Sequence, residues 1–278
     1  MQAALNKITD SLRHLYPENE VKSLSRFLMS AITGLNYTDL LVNKNTTISD
    51  KQMEMLHNYL LELQNFRPIQ YVLGETEFCG LQFKLNDHVL IPRQETEELI
   101  EWILADNPKQ GPILDIGCGS GCIAISLKYF NPHCEVFGCD ISLEALEVAR
   151  NNAELSNLEV HFFHHDILKE EFNMPACEII VSNPPYIPMN EKQFMHQNVL
   201  NFEPHLALFV PDNDPLLFYK RIAEIGLNQL TANGKLYFEV HRDYAEKCCE
   251  MLTAKGYKEV LLKKDIHDNN RMVKASTS

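Results

Sequence analysis

The sequence predicts an α/β protein in which helices cover both faces of a mainly parallel sheet, preceded by a small helical domain and a β-hairpin linker. Two observations predict this architecture. Apolar residues recur at helical spacing over the first seventy residues, and from residue 113 onward short apolar runs alternate with helical segments. Strands that alternate with helices of about 10–15 residues are typical of parallel sheets. We expect the helical domain at 1–74, the linker at 75–92 and the α/β domain at 93–278.

Three amphipathic helices account for the N-terminal domain. Their apolar stripes run through residues 5–15, 21–28 and 53–63. Ser49 followed by Gln52 is a capping-box signal, which predicts the start of the third helix. Arg67-Pro68 ends this helical pattern. The apolar residues of segment 71–92 then indicate short strands around a turn near Asn86-Asp87, and these strands form the predicted linker.

The α/β domain is predicted from the alternation of two periodicities. Apolar runs predict strands at 113–116, 135–139, 160–164, 178–182 and 235–240. Helical stripes lie between them or before them, at 96–104, 122–130, 143–155 and 215–230. The tail, 257–273, is predicted to add an antiparallel hairpin at the edge of the sheet.

Composition narrows the functional classes. The 278 residues are 45% hydrophobic and 23% charged, which is typical of a globular protein. Lys and Arg total 25 against 38 Asp and Glu, and the net charge of −13 argues against a broad basic surface for nucleic acid. No apolar stretch reaches the ~18 residues that a membrane span needs, and Asp10 interrupts the N-terminal segment, unlike a signal peptide. None of the eight cysteines are spaced C-x-x-C, so we expect free thiols and a cytoplasmic protein.

A glycine-rich turn follows the first strand of the α/β domain and opens a helix. It reads Asp115-Ile-Gly117-Cys-Gly119-Ser-Gly121. Glycines allow a tight turn and a close approach of main-chain N–H groups to a ligand, which the positive end of the helix also faces. The pattern differs from the Gly-x-Gly-x-x-Gly of pyridine-nucleotide enzymes, and no Lys-Ser or Lys-Thr follows as in a phosphate-binding loop. We therefore predict that the turn binds an adenosyl ligand without phosphates, S-adenosylmethionine. This interpretation is favoured over a turn that is needed only for packing.

Two acidic residues end the next two strands. Asp140 lies nineteen residues after Gly121, where a carboxylate can accept hydrogen bonds from ribose hydroxyls. Asp166 ends the third strand on the same carboxyl edge and is predicted to accept from an adenine amino group.

The tetrapeptide Asn183-Pro184-Pro185-Tyr186 directly follows the fourth strand, beside the predicted cofactor loop. Asn183 has a side-chain carbonyl, its main-chain carbonyl and those of the two prolines are further acceptors, and proline has no N–H. Such a corner favours an NH2 group over a carboxylate, and Tyr186 presents a flat face to a planar amide or base. Two acceptors hold a weakly nucleophilic nitrogen in attack geometry and stabilise its developing positive charge. The sequence therefore predicts methyl transfer to an amide or amine nitrogen.

The chain resembles the HemK/PrmC family of glutamine methyltransferases, which modify peptide chain release factors. The resemblance covers nearly the whole chain and rests on Pro68–Gly74, Leu90–Glu97, Asp115–Gly121, Asn183–Tyr186, Phe202-Glu203-Pro204 with Ala207-Leu208, Glu239 and Arg271. Three segments depart from the family pattern, because glycines common there are missing after Leu208, in Glu239-Val-His241 and in Asp265–Arg271. These departures concern the outer loops and leave the cofactor motif intact.

The resemblance implies the fold, the reaction and the residues of the site. The fold would be a Rossmann-like, class I methyltransferase domain, and S-adenosylmethionine would be converted to S-adenosylhomocysteine. The cofactor would contact Gly117, Cys118, Gly119, Ser120, Gly121, Asp140, Asp166, Ile167 and Asn183. Asn183 and Pro184 would hold the side-chain amide of the glutamine in the Gly-Gly-Gln loop of a release factor, with Pro185 and Tyr186 lining the slot. The N-terminal helices would recognise that release factor, and we expect a monomer that needs no metal and binds neither nucleic acid nor membrane.

Other functions remain open. A sister enzyme that methylates a glutamine of a ribosomal protein would share these motifs. Adenine or cytosine amino methyltransferases share the Asn-Pro-Pro-Tyr element but need a basic cleft, and a cofactor-binding regulator without catalysis would need an impaired acceptor corner. His161, His164 and His165 do not predict a metal site, because neighbouring residues of a strand point to opposite faces. Cys118 and Cys122 are predicted to be small buried residues rather than nucleophiles.

Overall fold

The computed structural model describes residues 1–42, 47–106 and 111–278. It divides into two units, of which the first comprises Met1–Gly74 with His196–Phe202 and the second Glu75–Met195 with Glu203–Ser278. The helices are α1 Gln2–Leu12, α2 Glu18–Thr33, α3 Tyr37–Val42, α4 Asp50–Gln64, α5 Ile69–Leu73, α6 Gln94–Ala105, α7 Cys122–Phe130, α8 Leu143–Leu155, α9 Gln197–Phe202, α10 His205–Leu208, α11 Leu217–Gln229 and α12 Ala245–Ala254. The strands are β1 Glu75–Phe78, β2 Leu81–Lys84, β3 Ile113–Ile116, β4 Val136–Asp140, β5 His161–His164, β6 Cys177–Ser182, β7 Ile187–Pro188, β8 Phe209–Val210, β9 Leu230–Glu239, β10 Lys258–Lys264 and β11 Asn270–Ser276.

The first unit is helical, as the sequence predicts. Its core is built from the apolar stripes of α1, α2 and α4, including Ile8, Leu28 and Leu60. The predicted capping box starts α4: the Ser49 hydroxyl accepts from the Gln52 amide N–H at 3.3 Å, and the Gln52 side chain accepts from the Ser49 N–H at 2.9 Å. Among the described residues of this unit, the sequence misses three short helices, α3, α5 and α9, because each has at most six residues and shows little periodicity.

The predicted hairpin forms, within the second unit, but its turn lies elsewhere than predicted. Strands β1 and β2 pair antiparallel with Phe78 opposite Leu81, so the turn residues are Cys79 and Gly80 and not Asn86-Asp87. Their φ angles of +50° and +74° are those of a two-residue hairpin turn with both central residues left-handed. Cysteine is rare in such turns, which is why the sequence pattern did not reveal it. Asn86 instead begins a separate turn, whose carbonyl accepts from the Val89 N–H at 3.2 Å.

In the described residues of the second unit, seven strands form the main sheet in the order β10-β11-β9-β6-β3-β4-β5. The five strands from β9 to β5 run parallel, and β11 and β10 add an antiparallel hairpin, which confirms the predicted tail. Helices α6, α7 and α8 contribute to the core on one face and α11 and α12 to the core on the other. The strands are therefore apolar on both sides: Ile179 and Val181 belong to one core cluster and Ile180 to the other.

This topology sets the carboxyl ends of four parallel strands side by side. Strand β3 leads into Gly117, β4 ends at Asp140, β5 leads into His165, and β6 leads into Asn183. Ligands of open parallel sheets bind beyond these ends. Among the helices of the described residues, none is both long and apolar enough to cross a membrane.

Candidate active site

A cavity of about 430 Å³ opens at the carboxyl ends of the parallel strands, within the second unit. Eight of the predicted site residues line it: Gly117, Gly119, Asp140, Asp166, Ile167, Asn183, Pro184 and Pro185. The other four, Cys118, Ser120, Gly121 and Tyr186, are described by the structure and are not among its lining residues. The cofactor motif and the acceptor tetrapeptide therefore border one space, which is the arrangement that a transfer between them requires.

The three glycines of the loop have different tasks. Gly117 and Gly119 have φ angles of +74° and +53°, and a Cβ placed on either would meet no atom within 4 Å. Their backbone lies against open space, beside the cavity. A Cβ on Gly121 would instead come within 3.0 Å of the Phe162 ring and 3.1 Å of Ala149. Gly121 is therefore required for the packing of α7 against α8 and β5.

Most main-chain N–H groups of the loop are used inside the protein, contrary to the expectation that they face a ligand. The N–H groups of Gly117 and Cys118 both donate to the Cys139 carbonyl, at 2.8 and 3.0 Å. The Gly121 N–H donates to the Cys118 carbonyl at 2.8 Å. A loop whose donors are already paired is poorly suited to a phosphate, which needs free N–H groups. It is better suited to a ligand that carries positive charge.

The side chains of Cys118 and Ser120 are buried, at 4% and 2% exposure of the residues. Burial raises the pKa of the Cys118 thiol, so it remains protonated and is a poor nucleophile. The Ser120 carbonyl accepts from the Asn152 side chain at 2.9 Å. These two residues hold the loop in shape.

Asp140 joins the end of β4 to the glycine loop. One carboxylate oxygen accepts from the Gly119 N–H and the other from the Ser142 N–H, both at 2.9 Å. Burial raises the pKa of Asp140, and these two N–H groups oppose the rise. Because a carboxylate has about four acceptor positions, the two backbone bonds leave capacity for ribose hydroxyls.

Asp166 lies beyond the end of β5 and is held in a similar way. Its Oδ1 accepts from the Leu168 N–H at 3.1 Å, and its Oδ2 pairs with the Lys169 ammonium at 2.9 Å. The Lys169 ammonium lowers the pKa of Asp166, so this carboxyl stays ionised at neutral pH. Ile167, which also lines the cavity, is fixed through its carbonyl, which accepts from the Arg221 Nε at 2.6 Å.

The Asn183 side chain has one end paired and one end unpaired. Its Nδ2 donates to the Thr96 hydroxyl over a long 3.4 Å, and Thr96 donates to the Glu239 carboxylate at 2.6 Å. Its Oδ1 is buried, and no donor among the described residues reaches it. An unpaired buried acceptor costs about 1–3 kcal/mol, and a ligand that brings an N–H donor recovers this cost. The acceptor corner therefore fits a carboxamide.

Tyr186 contributes a ring and has its hydroxyl engaged. The hydroxyl donates to the second oxygen of Glu239 at 3.2 Å, and the ring packs edge-on against His241 with the centroids 5.9 Å apart. Burial and the Glu239 charge raise the pKa of Tyr186, so its phenol does not act as a base at neutral pH. Downstream, β7 pairs with β8 and ties the segment after Tyr186 to residues 209–210.

Sequence reasoning missed the supporting residues Thr96 and Glu239 as parts of the site. A buried glutamate at the end of an apolar strand is a usable signal, because Glu239 is 1% exposed and burial raises its pKa. The pairing of Arg93 at 2.5 Å with Glu203, which is 3% exposed, was not predicted either. Both pairings join residues more than a hundred positions apart and leave no local pattern.

The described residues contain no group of three or more His, Cys, Asp or Glu side chains that suits a metal ion. His161 and His164 are exposed. His165 instead lies 3.2 Å from the Glu170 carboxylate. All eight cysteines are free thiols.

Two family models match the chain. The PrmC N-terminal domain matches residues 3–74, and the Methyltransferase small domain matches residues 94–203. Curated relatives match over nearly the full length. A protein of Flavobacterium psychrophilum named release factor glutamine methyltransferase is 43% identical, with 97% of this chain and 96% of the relative covered. A protein of Bacteroides thetaiotaomicron with the same name is also 43% identical, with 98% and 100% covered.

Solved structures share the fold at low identity. The hMettl16 catalytic domain has a TM-score of 0.58 and 17% identity, with 91% of this chain and 92% of that chain covered. A methyltransferase from Pyrococcus furiosus has a TM-score of 0.53 and 17% identity, with 83% and 99% covered. At this identity the likeness concerns the fold, which is that of methyltransferases with a parallel central sheet.

Proposed function

We propose, since this chain belongs to the release factor glutamine methyltransferase family, that it transfers a methyl group from S-adenosylmethionine to the side-chain amide nitrogen of a glutamine in a release factor. The observation that carries the proposal is the buried, unpaired Oδ1 of Asn183, a residue that lines the same cavity as the glycine loop. A glutamine side chain supplies the donor that this oxygen lacks. A glutamate side chain does not.

The cofactor end of the cavity fits a positively charged ligand. Most main-chain N–H groups of the glycine loop already donate hydrogen bonds within the protein. Asp140 and Asp166 add two carboxylates to the lining of the cavity. S-adenosylmethionine supplies a methyl group activated by its sulfonium charge. Asp140 accepts from the ribose hydroxyls and Asp166 from the adenine amino group, while Ile167, Gly117 and Gly119 provide the apolar and backbone walls. Cys118, Ser120 and Gly121 act by holding the loop.

The substrate end binds and orients a neutral amide. Asn183 Oδ1 and the main-chain carbonyl of Pro184 each accept one hydrogen of the glutamine NH2, and Pro185 adds no competing N–H. Tyr186 supports the planar amide with its ring. Amide nitrogen is a weak nucleophile, so the two acceptors act by orientation and by stabilising the positive charge that develops on nitrogen. No strong base is needed before transfer, because the nitrogen becomes acidic when it gains the methyl group.

The finer identity of the substrate is part of the proposal. The glutamine is that of the Gly-Gly-Gln loop, and the helical unit at 1–74 contributes recognition of the release factor, since one amide cannot distinguish one protein from another. The enzyme works as a monomer in the cytoplasm, without metal, membrane or direct nucleic-acid contact. The net charge of −13 supports the choice of a protein over a nucleic acid.

The test is a parallel incubation with labelled S-adenosylmethionine. Purified release factor, ribosomal proteins and DNA are offered separately, and mass mapping locates the methyl group. We expect label on the Gly-Gly-Gln glutamine of the release factor alone. Label on a ribosomal protein glutamine or on DNA, with none on the release factor, would overturn the proposal and identify the correct acceptor.

A further inference from the structure

A buried carboxylate, Glu239, lies behind the acceptor corner at the end of β9. It is 1% exposed, and both of its oxygens are held by hydroxyl groups: Oε2 accepts from Thr96 at 2.6 Å and Oε1 from Tyr186 at 3.2 Å. Its main-chain carbonyl accepts from the Tyr219 hydroxyl at 3.1 Å. Burying a charge is costly unless it is fully hydrogen-bonded. From the sequence, Glu239 was noted only as a match to the family pattern, and no role was predicted for it.

The carboxylate determines the direction of the hydrogen bonds that lead away from it. Thr96 has a single hydroxyl hydrogen, and it donates this hydrogen to the Glu239 carboxylate. The Thr96 oxygen is then available only as an acceptor. Its contact with Asn183 must therefore come from the Asn183 NH2 group, which is the pairing that the structure has at 3.4 Å. The Asn183 carbonyl is left on the unpaired side, where the substrate amide needs an acceptor.

The same carboxylate also fixes the second polar side chain of the tetrapeptide. Tyr186 has one hydroxyl hydrogen and donates it to Glu239, which holds the tyrosine ring beside the corner. Burial raises the pKa of Glu239 and the Glu95 charge adds to this rise, while the Arg271 guanidinium, which pairs with Asp265 at 3.2 Å, opposes it. One buried charge thus bears on both Asn183 and Tyr186.

We propose that Glu239 is a positioning residue that sets the polarity of the acceptor corner: through Thr96 it turns the Asn183 carboxamide so that oxygen faces the substrate, and directly it anchors Tyr186. This inference rests on the proposed function, because it explains how the site distinguishes a glutamine from a glutamate. If the relay is broken, the Asn183 amide is free to rotate by half a turn. Its NH2 group then faces the slot and repels the glutamine NH2.

Two variants break the relay without creating a large cavity. Thr96→Val keeps the shape of the side chain and removes the hydroxyl, and Glu239→Gln replaces the acceptor-only group by one that also donates. Thr96→Ser keeps the hydroxyl and is the conservative control. Asp106→Asn is a matched control, because Asp106 accepts from the hydroxyl of Tyr237 on the same strand β9 and pairs with Lys235 and Lys274.

The first measurement is steady-state kinetics with a release factor, together with inhibition by a release factor whose target glutamine is replaced by glutamate. For Thr96→Val and Glu239→Gln we expect kcat to fall at least tenfold, with the KM for S-adenosylmethionine unchanged. The preference for the glutamine protein over the glutamate inhibitor, given by the ratio of Ki to KM, should fall at least threefold. Thr96→Ser and Asp106→Asn should retain wild-type kcat and preference within about twofold.

A loss of kcat with an unchanged Ki-to-KM ratio would overturn the proposal, since it would indicate a role in folding alone. Wild-type kcat in Thr96→Val would overturn it as well. A second measurement needs no substrate and so separates this proposal from the proposed function. The side-chain NH2 resonance of Asn183, identified by its loss in Asn183→Ala, should shift in Glu239→Gln, and this shift should vanish when Thr96→Val is already present. A shift that persists in the double variant would contradict the relay, even if release factors prove not to be the substrate.

Discussion

In the function that we propose, the choice of a glutamine over a glutamate depends on one oxygen atom, Asn183 Oδ1. Proline neighbours remove competing donors from the backbone, and the Thr96 hydroxyl occupies the other end of the amide. The side-chain oxygen, Oδ1, is buried and has no hydrogen-bond donor among the described residues. Binding energy is therefore directed to a group that a glutamine has and a glutamate lacks.

The first prediction concerns Asn183→Ala. Because the lost contact acts on charge that develops in the transition state, turnover should fall by ~10²-fold or more while S-adenosylmethionine still binds. A methyl-transfer assay that is quenched at fixed times measures turnover, and calorimetry measures S-adenosylmethionine binding. Normal turnover with a release factor would contradict the assigned role.

A second prediction concerns Asp140→Ala. The substitution removes the proposed acceptor for ribose hydroxyls and leaves the Gly119 N–H without its partner, so it should weaken S-adenosylmethionine binding by ~1–3 kcal/mol. Calorimetry of the free enzyme measures this directly. An unchanged dissociation constant would exclude Asp140 from the cofactor site.

A third prediction follows from Asp115, the first residue of the loop motif. It is fully buried, its Oδ2 accepts from the Ala124 N–H at 3.2 Å, and burial raises its pKa to about 8. In the unfolded chain the pKa is about 3.9, so between about pH 4 and pH 8 the folded state binds a proton that the unfolded state lacks. This contribution to stability is complete below that window and is lost as the pH rises through it.

Asp115→Asn mimics the protonated carboxyl at every pH. We expect the variant to gain at least about 1 kcal/mol over the wild type at pH 8 and little at pH 4. Urea unfolding without cofactor at several pH values measures the difference, and Glu147→Gln at an exposed position of α8 is the control. A constant difference between wild type and variant across this range would contradict the pKa.

At the scale of residues, the sequence was sufficient to identify the motifs that lie within short segments of the chain. The glycine loop, Asp140, Asp166 and Asn183-Pro-Pro-Tyr186 each stand next to a strand end, and eight of the predicted residues line one cavity. The contact between Thr96 and Glu239 could not be predicted in this way, because it spans 143 positions. The pairing of the loop N–H groups was not predicted either, since those of Gly117 and Cys118 donate to the Cys139 carbonyl on the neighbouring strand.

At the scale of elements, periodicity predicted the five parallel strands of the main sheet and the helices α6, α7, α8 and α11, because each shows a repeating apolar pattern. It did not predict α12, which also covers the sheet, or the two-residue parallel strands β7 and β8. Several short elements were not predicted from the sequence. Helix α5 has five residues, and the hairpin turn contains a cysteine where asparagine or glycine is usual. The turn shows that pairing of β1 with β2 overrides the local preference of Cys79.

The turn yields a fourth prediction, Gly80→Ala. Gly80 has φ +74°, and a Cβ there would meet no atom within 4 Å, so the cost is conformational rather than steric. We expect a loss of about 1–2 kcal/mol in the free energy of unfolding, measured in urea. Gly80→Asn should lose less, because asparagine tolerates the left-handed region better. Equal stability of Gly80→Ala and wild type would argue against this turn.

At the scale of the whole molecule, the carboxyl ends of the parallel strands carry both the glycine loop and the acceptor tetrapeptide. The carboxyl ends of β3, β4 and β5 carry the glycine loop, Asp140 and Asp166, and β6 carries the acceptor tetrapeptide. The parallel order therefore brings the proposed cofactor site and the proposed acceptor site to the same cavity. The helical unit at the N-terminus, which matches the PrmC N-terminal domain, has its own core of apolar stripes.

The most direct test of the account uses a release factor and a variant in which the Gly-Gly-Gln glutamine is replaced by glutamate, each incubated with this protein and labelled S-adenosylmethionine. The methyl group should appear on the glutamine nitrogen of the first protein, and none should appear on the second. Methyl ester on the introduced glutamate, at a rate near that of the amide, would contradict a corner built to accept hydrogen bonds from NH2.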